Sequence, residues 1–285
     1  MFTYVRADKE LVYFSTGNIL LQESCIYSTV LSLKKYKETL NSLRIFGNYF
    51  QTNKRIYGMY CFGSTAMATK FPIYVHEGKK IVLPRPYANS KPGKCGHQVL
   101  NESLWFTTLI KDVEKQVFQC LACLFPNKDD GYDILMLLYN SKEIIPSCCR
   151  LCDTIFSQMI IIGNNINEND GYGIPLHKDE KDIISVLLHF GEVSSGGSTD
   201  YYDGLTVKSK GVKQLSIPFQ HGRIQIGFFN KVLHEAENWK GNRYVINFNL
   251  KKDVYNHFQI FGSEFYDKYK NDNFPKKWIG DDKMI

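Results

Sequence analysis

Arg243-Tyr244-Val245-Ile246-Asn247-Phe248-Asn249-Leu250 alternates without a break. On an extended chain Arg243, Val245, Asn247 and Asn249 share one face, and Tyr244, Ile246, Phe248 and Leu250 share the other. The second face is wholly apolar and belongs in a core. Gly222–Phe229 repeats the period of two, Ser157–Gly163 and Ile183–Phe190 are apolar β-rich runs, and Thr206–Pro218 alternates weakly. Strands at short spacing, joined by Gly, Asn and Asp turns, predict an antiparallel barrel or jelly roll of roughly a hundred residues.

Helical patterns flank this β-rich stretch. Lys111–Leu124 places Val113, Val117, Cys120, Leu121 and Leu124 on one stripe, and Pro126-Asn127-Lys128 ends it. Asp133–Asn140 and Pro146–Phe156 read as shorter helices. From Asp253 the helical period returns with Val254, Phe258, Phe261 and Phe265, before a basic tail containing Lys268, Lys270, Lys276 and Lys277. The Pro- and Gly-rich stretch Pro84–His97 reads as the division between two parts. The expectation is an α+β chain: an irregular N-terminal lobe over 1–100, then 101–285 with a double-stranded β-helix (jelly-roll) core and supporting helices.

With 44% hydrophobic and 22% charged residues, the chain can bury a sizeable core, which excludes disorder as its main state. Gly and Pro show no period, which excludes collagen-like and low-complexity classes. A net charge of +6 permits a polyanionic partner without demanding one. The N-terminus does not read as a signal peptide, and the apolar runs Ile134–Tyr139 and Met159–Ile162 are too short to span a bilayer. An intracellular protein, cytoplasmic or nuclear and with no membrane partner, is expected. Asn101-Glu102-Ser103 is then a sequon without consequence.

Chemistry concentrates at Leu176-His177-Lys178-Asp179. Two residues apart on an extended segment, His177 and Asp179 leave the same face. One imidazole and one carboxylate are two-thirds of a facial triad for non-haem Fe(II). His234, just after the Gly222–Phe229 strand, is placed to be the third ligand, and Arg243 follows nine residues later. Such a triad leaves three metal positions open, enough for a bidentate keto acid and dioxygen. The far carboxylate of 2-oxoglutarate needs a charge partner, and a guanidinium offers bidentate geometry. Seven histidines make a lone His-x-Asp unsurprising, and a strand histidine is more often a packing residue than a ligand. The distal His and Arg at matching places are what raise the signal.

On these residues, His177–Asp179 and the run His234–Arg243 followed by Tyr-Val-Ile-Asn-Phe-Asn-Leu, the chain resembles the Fe(II)/2-oxoglutarate dioxygenases of the double-stranded β-helix fold. The resemblance covers about Ser157–Lys252. It implies His177, Asp179 and His234 as iron ligands, Arg243 as the 2-oxoglutarate anchor, and O2 as cosubstrate. Many relatives hold the keto acid with a Tyr, or an Asn-x-Tyr, ahead of the first ligand. Here Asn164, Asn165 and Asn167 lie in that region and Tyr172 nearer the ligand, and Val245 stands where other branches have Ser. Asn165, Tyr172 and Asn247 are the candidates for the remaining cosubstrate contacts.

The stretch from His177 through Gly196-Gly197 to Gly204 is similar to the TET/J-binding-protein branch, which oxidises 5-methyl pyrimidines. A methylated nucleic-acid base is the substrate this implies. The alternatives are a protein side chain, as in prolyl hydroxylases with their similar Gly-Gly, or a non-catalytic binding module. Gly196-Gly197 reads first as a tight hairpin turn. Phosphate contacts would come from Lys34, Lys35, Lys79, Lys80, Arg85, Lys208, Lys210, Lys251 and the C-terminal lysines, each of which reads equally as a solvated surface residue. Tyr87, Tyr201 or Tyr202 would serve as stacking platforms. The pairs Cys120-x-x-Cys123 and Cys149-x-x-Cys152, with Cys148, Cys95 and His97 nearby, suit a structural Zn2+ site. Against zinc, Cys120 falls on an apolar helix stripe, where a thiol packs as a small hydrophobe.

Overall fold

A computed structural model describes residues 3–6, 9–12, 26–30, 58–65, 73–76, 79–86, 104–124, 132–163 and 170–269. Fifteen strands are named among them. β1 (Thr3–Arg6) and β2 (Lys9–Val12) form one ribbon, and β5 (Ile73–His76) and β6 (Lys79–Val82) form another. The large sheet is built from β3 (Ile26–Val30), β4 (Gly58–Thr65), β7 (Arg85–Pro86), β8 (Gln158–Gly163), β10 (Asp182–Gly196), β13 (Arg223–Gly227) and β15 (Trp239–Lys251). Their order is β3-β13-β10-β15-β8-β4-β7, and β9 (Asp170–Gly171) pairs with β15 off this path. A small sheet, β12-β11-β14, comprises β11 (Thr199–Tyr202), β12 (Lys213–Ile217) and β14 (Leu233–Ala236). The helices are α1 (Leu104–Leu124), α2 (Tyr132–Ile144) and α3 (Lys252–Tyr269).

Alternation along the long strands builds two cores, one on each face of the large sheet. Met159 and Ile161 of β8, Ile184, Val186, Leu188 and Phe190 of β10, and Tyr244, Ile246, Phe248 and Leu250 of β15 join Phe106, Val113 and Val117 of α1 and Val254 and Phe258 of α3 in one buried cluster. The opposite faces supply Ile162, Leu187 and Val245, which meet Tyr201, Ile217, Phe229 and Val232 from the small sheet and its connections. Three layers result: helices, large sheet, small sheet. The chain is an antiparallel α+β jelly roll whose facing sheets do not close into a barrel. Each fully buried Leu, Ile or Phe in these clusters contributes about 1.5–3 kcal/mol relative to exposure.

Several expectations move. Strands β3, β4 and β7 come from the first hundred residues yet hydrogen-bond into the large sheet, so position 100 is not an edge of that sheet. α1 begins at Leu104, a turn and more ahead of the stripe that marks it. Pro146–Phe156 is not a helix beyond a single 3-10 turn at Ser147–Cys149, because Cys152 and Asp153 adopt φ of 48° and 59°. There the Arg150 Nε–H donates to Ile145 O and the Ile155 N–H to the Glu114 carboxylate, each at 2.8 Å, in place of helical bonds. The weakly alternating Thr206–Pro218 is half hairpin loop, with a strand only from Lys213. Gly196 and Gly197, at φ 71° and 76°, make the expected turn between β10 and β11.

Candidate metal centre

His234 lies on β14, which β11 registers by pairing Tyr201 with His234. It therefore has its own short strand, and does not sit in the turn after β13. Opposite it, outside the sheet, His177 forms a single antiparallel bridge. The His177 N–H donates to His234 O at 2.9 Å, and the His234 N–H returns to His177 O at 3.0 Å. Asp179 is tied two residues later, its N–H donating to Phe229 O at 3.0 Å. Three backbone bonds thus fix the mutual placement of two imidazoles and a carboxylate drawn from separated segments.

Side-chain geometry follows. His177 Nε2 lies 3.6 Å from Asp179 Oδ1, and His234 Nε2 lies 3.9 Å from Asp179 Oδ2. One candidate ligand atom from each residue falls within 4.8 Å of the others. Each ring's Nδ1 is against a carbonyl: Pro175 O at 2.7 Å for His177, Val232 O at 3.1 Å for His234. A carbonyl only accepts, so each Nδ1 carries the proton and each Nε2 turns a lone pair inward. Burial, then the charge of His177, pushes His234 down to about 4 against the opposing pull of Asp179, so its ring is neutral at pH 7. Phe229, with its ring centroid 5.0 Å from that of His234, shields one side. Ligands about 2.0–2.2 Å from a divalent first-row ion sit about 3 Å apart, so the triad would have to draw together to close around one ion. Two imidazole nitrogens and one carboxylate oxygen on one side of a cavity fit Fe(II).

The cavity measures about 360 Å³ and lies between the two sheets. Its walls carry the triad, the apolar Ile160, Ile162, Leu187 and Val245, and the polar Arg243, His189, Thr199 and Asn247. Arg243 is 2% exposed, with its guanidinium 4.8 Å from the centroid of the Trp239 ring. Burial lowers Arg243 to about 10, which leaves it cationic at neutral pH. A buried guanidinium facing a cavity recognises a carboxylate with paired hydrogen bonds.

Three further polar residues were missed by sequence reasoning. His189 Nε2 accepts from the Gln225 amide at 3.1 Å, and the same amide reaches Thr199 Oγ1 at 3.5 Å. The Tyr201 hydroxyl in turn donates to Gln225 Oε1. Burial first, then Arg243 and Arg223, keep His189 well below the usual imidazole range and so neutral. The signal was available: His189 interrupts an apolar run at a position that shares the Leu187 face.

The other candidates separate. Asn247, 6% exposed, lines the cavity, and its Oδ1 has no hydrogen-bond partner among the described residues. Asn164, Asn165 and Asn167 fall outside the described residues. Tyr172 is 56% exposed and borders a separate depression with Trp239 and Lys240, not the cavity. Tyr201 and Tyr202, at 0% and 4% exposure, are no open stacking platforms. Tyr201 belongs to the inter-sheet core, and Tyr202 donates its hydroxyl to Glu235. Lys251 is bound to the buried Asp182, which removes it from phosphate contact. The side chains of Lys34, Lys35, Lys79, Lys80, Arg85 and Tyr87, and of Cys120 and Cys123, are outside the described set. Among described residues the one His/Cys/Asp/Glu group with metal-binding spacing is the triad, so Cys148, Cys149 and Cys152 do not assemble a zinc site there. No described helix is long and apolar enough to cross a membrane.

No protein-family model matches the chain, and no curated protein does. Solved structures do. NgTET1 in complex with 5mC DNA is 15% identical, covering 79% of this chain and 71% of that one, with a TM-score of 0.49. A Pseudomonas putida prolyl-4-hydroxylase is 10% identical over 82% and 95%, with a TM-score of 0.43. An oxidoreductase of the 2OG-Fe(II) oxygenase family from Burkholderia pseudomallei is 9% identical over 78% and 82%, with a TM-score of 0.38. These are likenesses of chain trace, and the chemistry rests on this chain's own side chains. The chain is similar in trace to solved oxygenases of the 2OG-Fe(II) type, and its own two facing sheets make it a jelly roll.

Proposed function

We propose that the protein is an Fe(II)/2-oxoglutarate-dependent dioxygenase that oxidises a methylated nucleic-acid base. The observation that carries the reaction class is that His177, Asp179, His234 and the buried Arg243 all face one cavity. The metal with 2-oxoglutarate, when bound, supplies the activation of dioxygen that hydroxylates a substrate carbon while 2-oxoglutarate leaves as succinate and CO2.

The chain's own groups divide the remaining work. His177 and His234 each present one nitrogen, with the tautomer set by Pro175 O and Val232 O. Asp179 contributes one negative charge, so a divalent ion keeps residual positive charge for a dianionic cosubstrate. Arg243 binds the distal carboxylate, and Trp239 holds its guanidinium plane. Neutral His189 and Thr199 offer polar contacts without repelling an anion. Ile160, Ile162, Leu187 and Val245 exclude water, which strengthens each electrostatic contact inside.

The base as substrate is supported by the resemblance over His177–Gly204 and by the basic charge balance. Succinate release is the test. Stimulation by oligonucleotides containing 5-methylcytosine and not by proline-containing peptides supports it, and the reverse pattern assigns a protein side chain. Turnover of 2-oxoglutarate undiminished in His177→Ala and Asp179→Ala would overturn the site.

A further inference from the structure

One short segment concentrates exposed apolar surface beside exposed cations. Of the six large hydrophobic side chains that stand exposed among the described residues, Leu205, Val207 and Val212 lie in the hairpin between β11 and β12, at 75, 57 and 66% exposure. Lys208 and Lys210 are exposed in the same hairpin.

The hairpin is held in shape. The Gly204 N–H donates to Lys210 O at 3.0 Å, and the Val212 N–H to Asp203 Oδ1 at 2.7 Å. A β-turn closes its tip, where the Ser209 N–H donates to Thr206 O at 3.0 Å and Val207 and Lys208 take the central positions. Gly211 has φ 69°, and a Cβ there would meet Asp203 Oδ1 at 2.1 Å. The apolar side chains are therefore presented, not left loose. Asp203, the one acid of the segment, is also bound by the Gln214 amide at 2.6 Å.

Strand register locates the hairpin at the metal end of the cavity. Tyr201 pairs with His234 and Tyr202 with Leu233, and the hairpin leaves the sheet at the next residue. Across that edge lies the turn Phe228–Lys231, whose Phe229 carbonyl holds Asp179. Lys210 reaches back over the Tyr202 ring, 4.7 Å from its centroid, and Tyr202 bonds Glu235 on the cavity wall.

We propose that the Asp203–Lys213 hairpin grips the nucleic-acid strand whose base enters the cavity, with Lys208 and Lys210 on phosphates and Leu205 and Val207 against bases. The proposal rests on the methylated-base reading above and names the surface that delivers the base. A base that reaches an interior site must leave its stack, and apolar side chains between base steps offset part of that cost. A narrow two-residue tip at the metal end of the cavity suits a strand and its phosphates better than a bilayer, which rewards a broad apolar face.

The test uses the full-length, metal-free chain, a labelled short duplex carrying 5-methylcytosine, its single strand, and phosphatidylserine vesicles. Binding is followed by anisotropy across a salt series. Lys208→Ala/Lys210→Ala should weaken duplex binding about tenfold and flatten the dependence of log K on log salt by about one to two. Leu205→Ser/Val207→Ser should weaken binding with the slope unchanged. All four side chains are exposed, so melting temperature and 2-oxoglutarate turnover without nucleic acid should stay at parental values. Parental affinity in both variants would overturn the hairpin's role while leaving the methylated-base reading standing. A parent that turns over 2-oxoglutarate but binds neither nucleic acid would overturn both the hairpin's role and the nucleic-acid substrate. Binding to vesicles alone would do the same and reassign the hairpin to a membrane surface.

Discussion

His177 and His234 are 57 positions apart in the chain, yet they exchange both backbone hydrogen bonds, at 2.9 and 3.0 Å. Their ring centroids lie 4.2 Å apart. A two-way backbone bridge fixes where both side chains start, and a carbonyl on each Nδ1 fixes how they turn. Backbone hydrogen bonds and carbonyls thus set the placement of both candidate imidazole ligands.

Arg243 should govern cosubstrate affinity. Losing a charged hydrogen-bond partner costs about 1.5–3 kcal/mol, so Arg243→Met should raise the KM for 2-oxoglutarate on the order of ten- to a hundredfold. Arg243→Lys should recover little, because a point charge cannot replace the planar fork stacked on Trp239. Initial rates of succinate formation against 2-oxoglutarate concentration check this, and an unchanged KM would count against the anchor.

Phe248 should be a stability residue only. It is fully buried on the helix-facing side of β15, with ring centroids 5.4 Å from Phe156 and 6.2 Å from Phe106. Phe248→Ala should cost about 3–5 kcal/mol in urea unfolding. Val245, one strand face away, lines the cavity. Val245→Ala should cost less in urea and act mainly on cosubstrate affinity.

His189 should make the fold sensitive to mild acid. It is neutral in the folded state because burial, Arg243 and Arg223 all oppose its charge, with Gln225 and Phe219 as further neighbours. The unfolded chain protonates it near pH 6.5. Its contribution is full above that value and is lost as pH falls below it, at up to about 1.4 kcal/mol per pH unit. His221, also lowered by burial, acts in the same direction. Urea midpoints from pH 7 to pH 5 should fall less steeply for His189→Gln than for the parent, and equal slopes would contradict this.

What the sequence made legible was whatever periodicity writes locally. The alternation of Arg243–Leu250 put Tyr244, Ile246, Phe248 and Leu250 in the core and Arg243, Val245 and Asn247 on the cavity face, and spacing alone put His177 and Asp179 side by side. Contacts made at long range were not legible. Nothing in β3 or β4 announces that β13 and β8 are their partners. The burial of Tyr201 depends on Phe229 and Gln225 across the sheets, and that of Lys251 on Asp182, 69 positions away. Pro146–Phe156 carries a helical pattern, but left-handed Cys152 and Asp153 turn it toward β8. The polar floor of His189, Thr199 and Gln225 needs three strands to be seen at once.

Anaerobic calorimetric titration of the purified chain with Fe(II) probes the site most directly, run beside His234→Ala with folding checked by near-UV circular dichroism. The parent should bind one ion per chain, and the variant, folded alike, should bind at least about a hundredfold more weakly. A parent that binds no ion, or a folded variant that binds as tightly as the parent, would contradict the account.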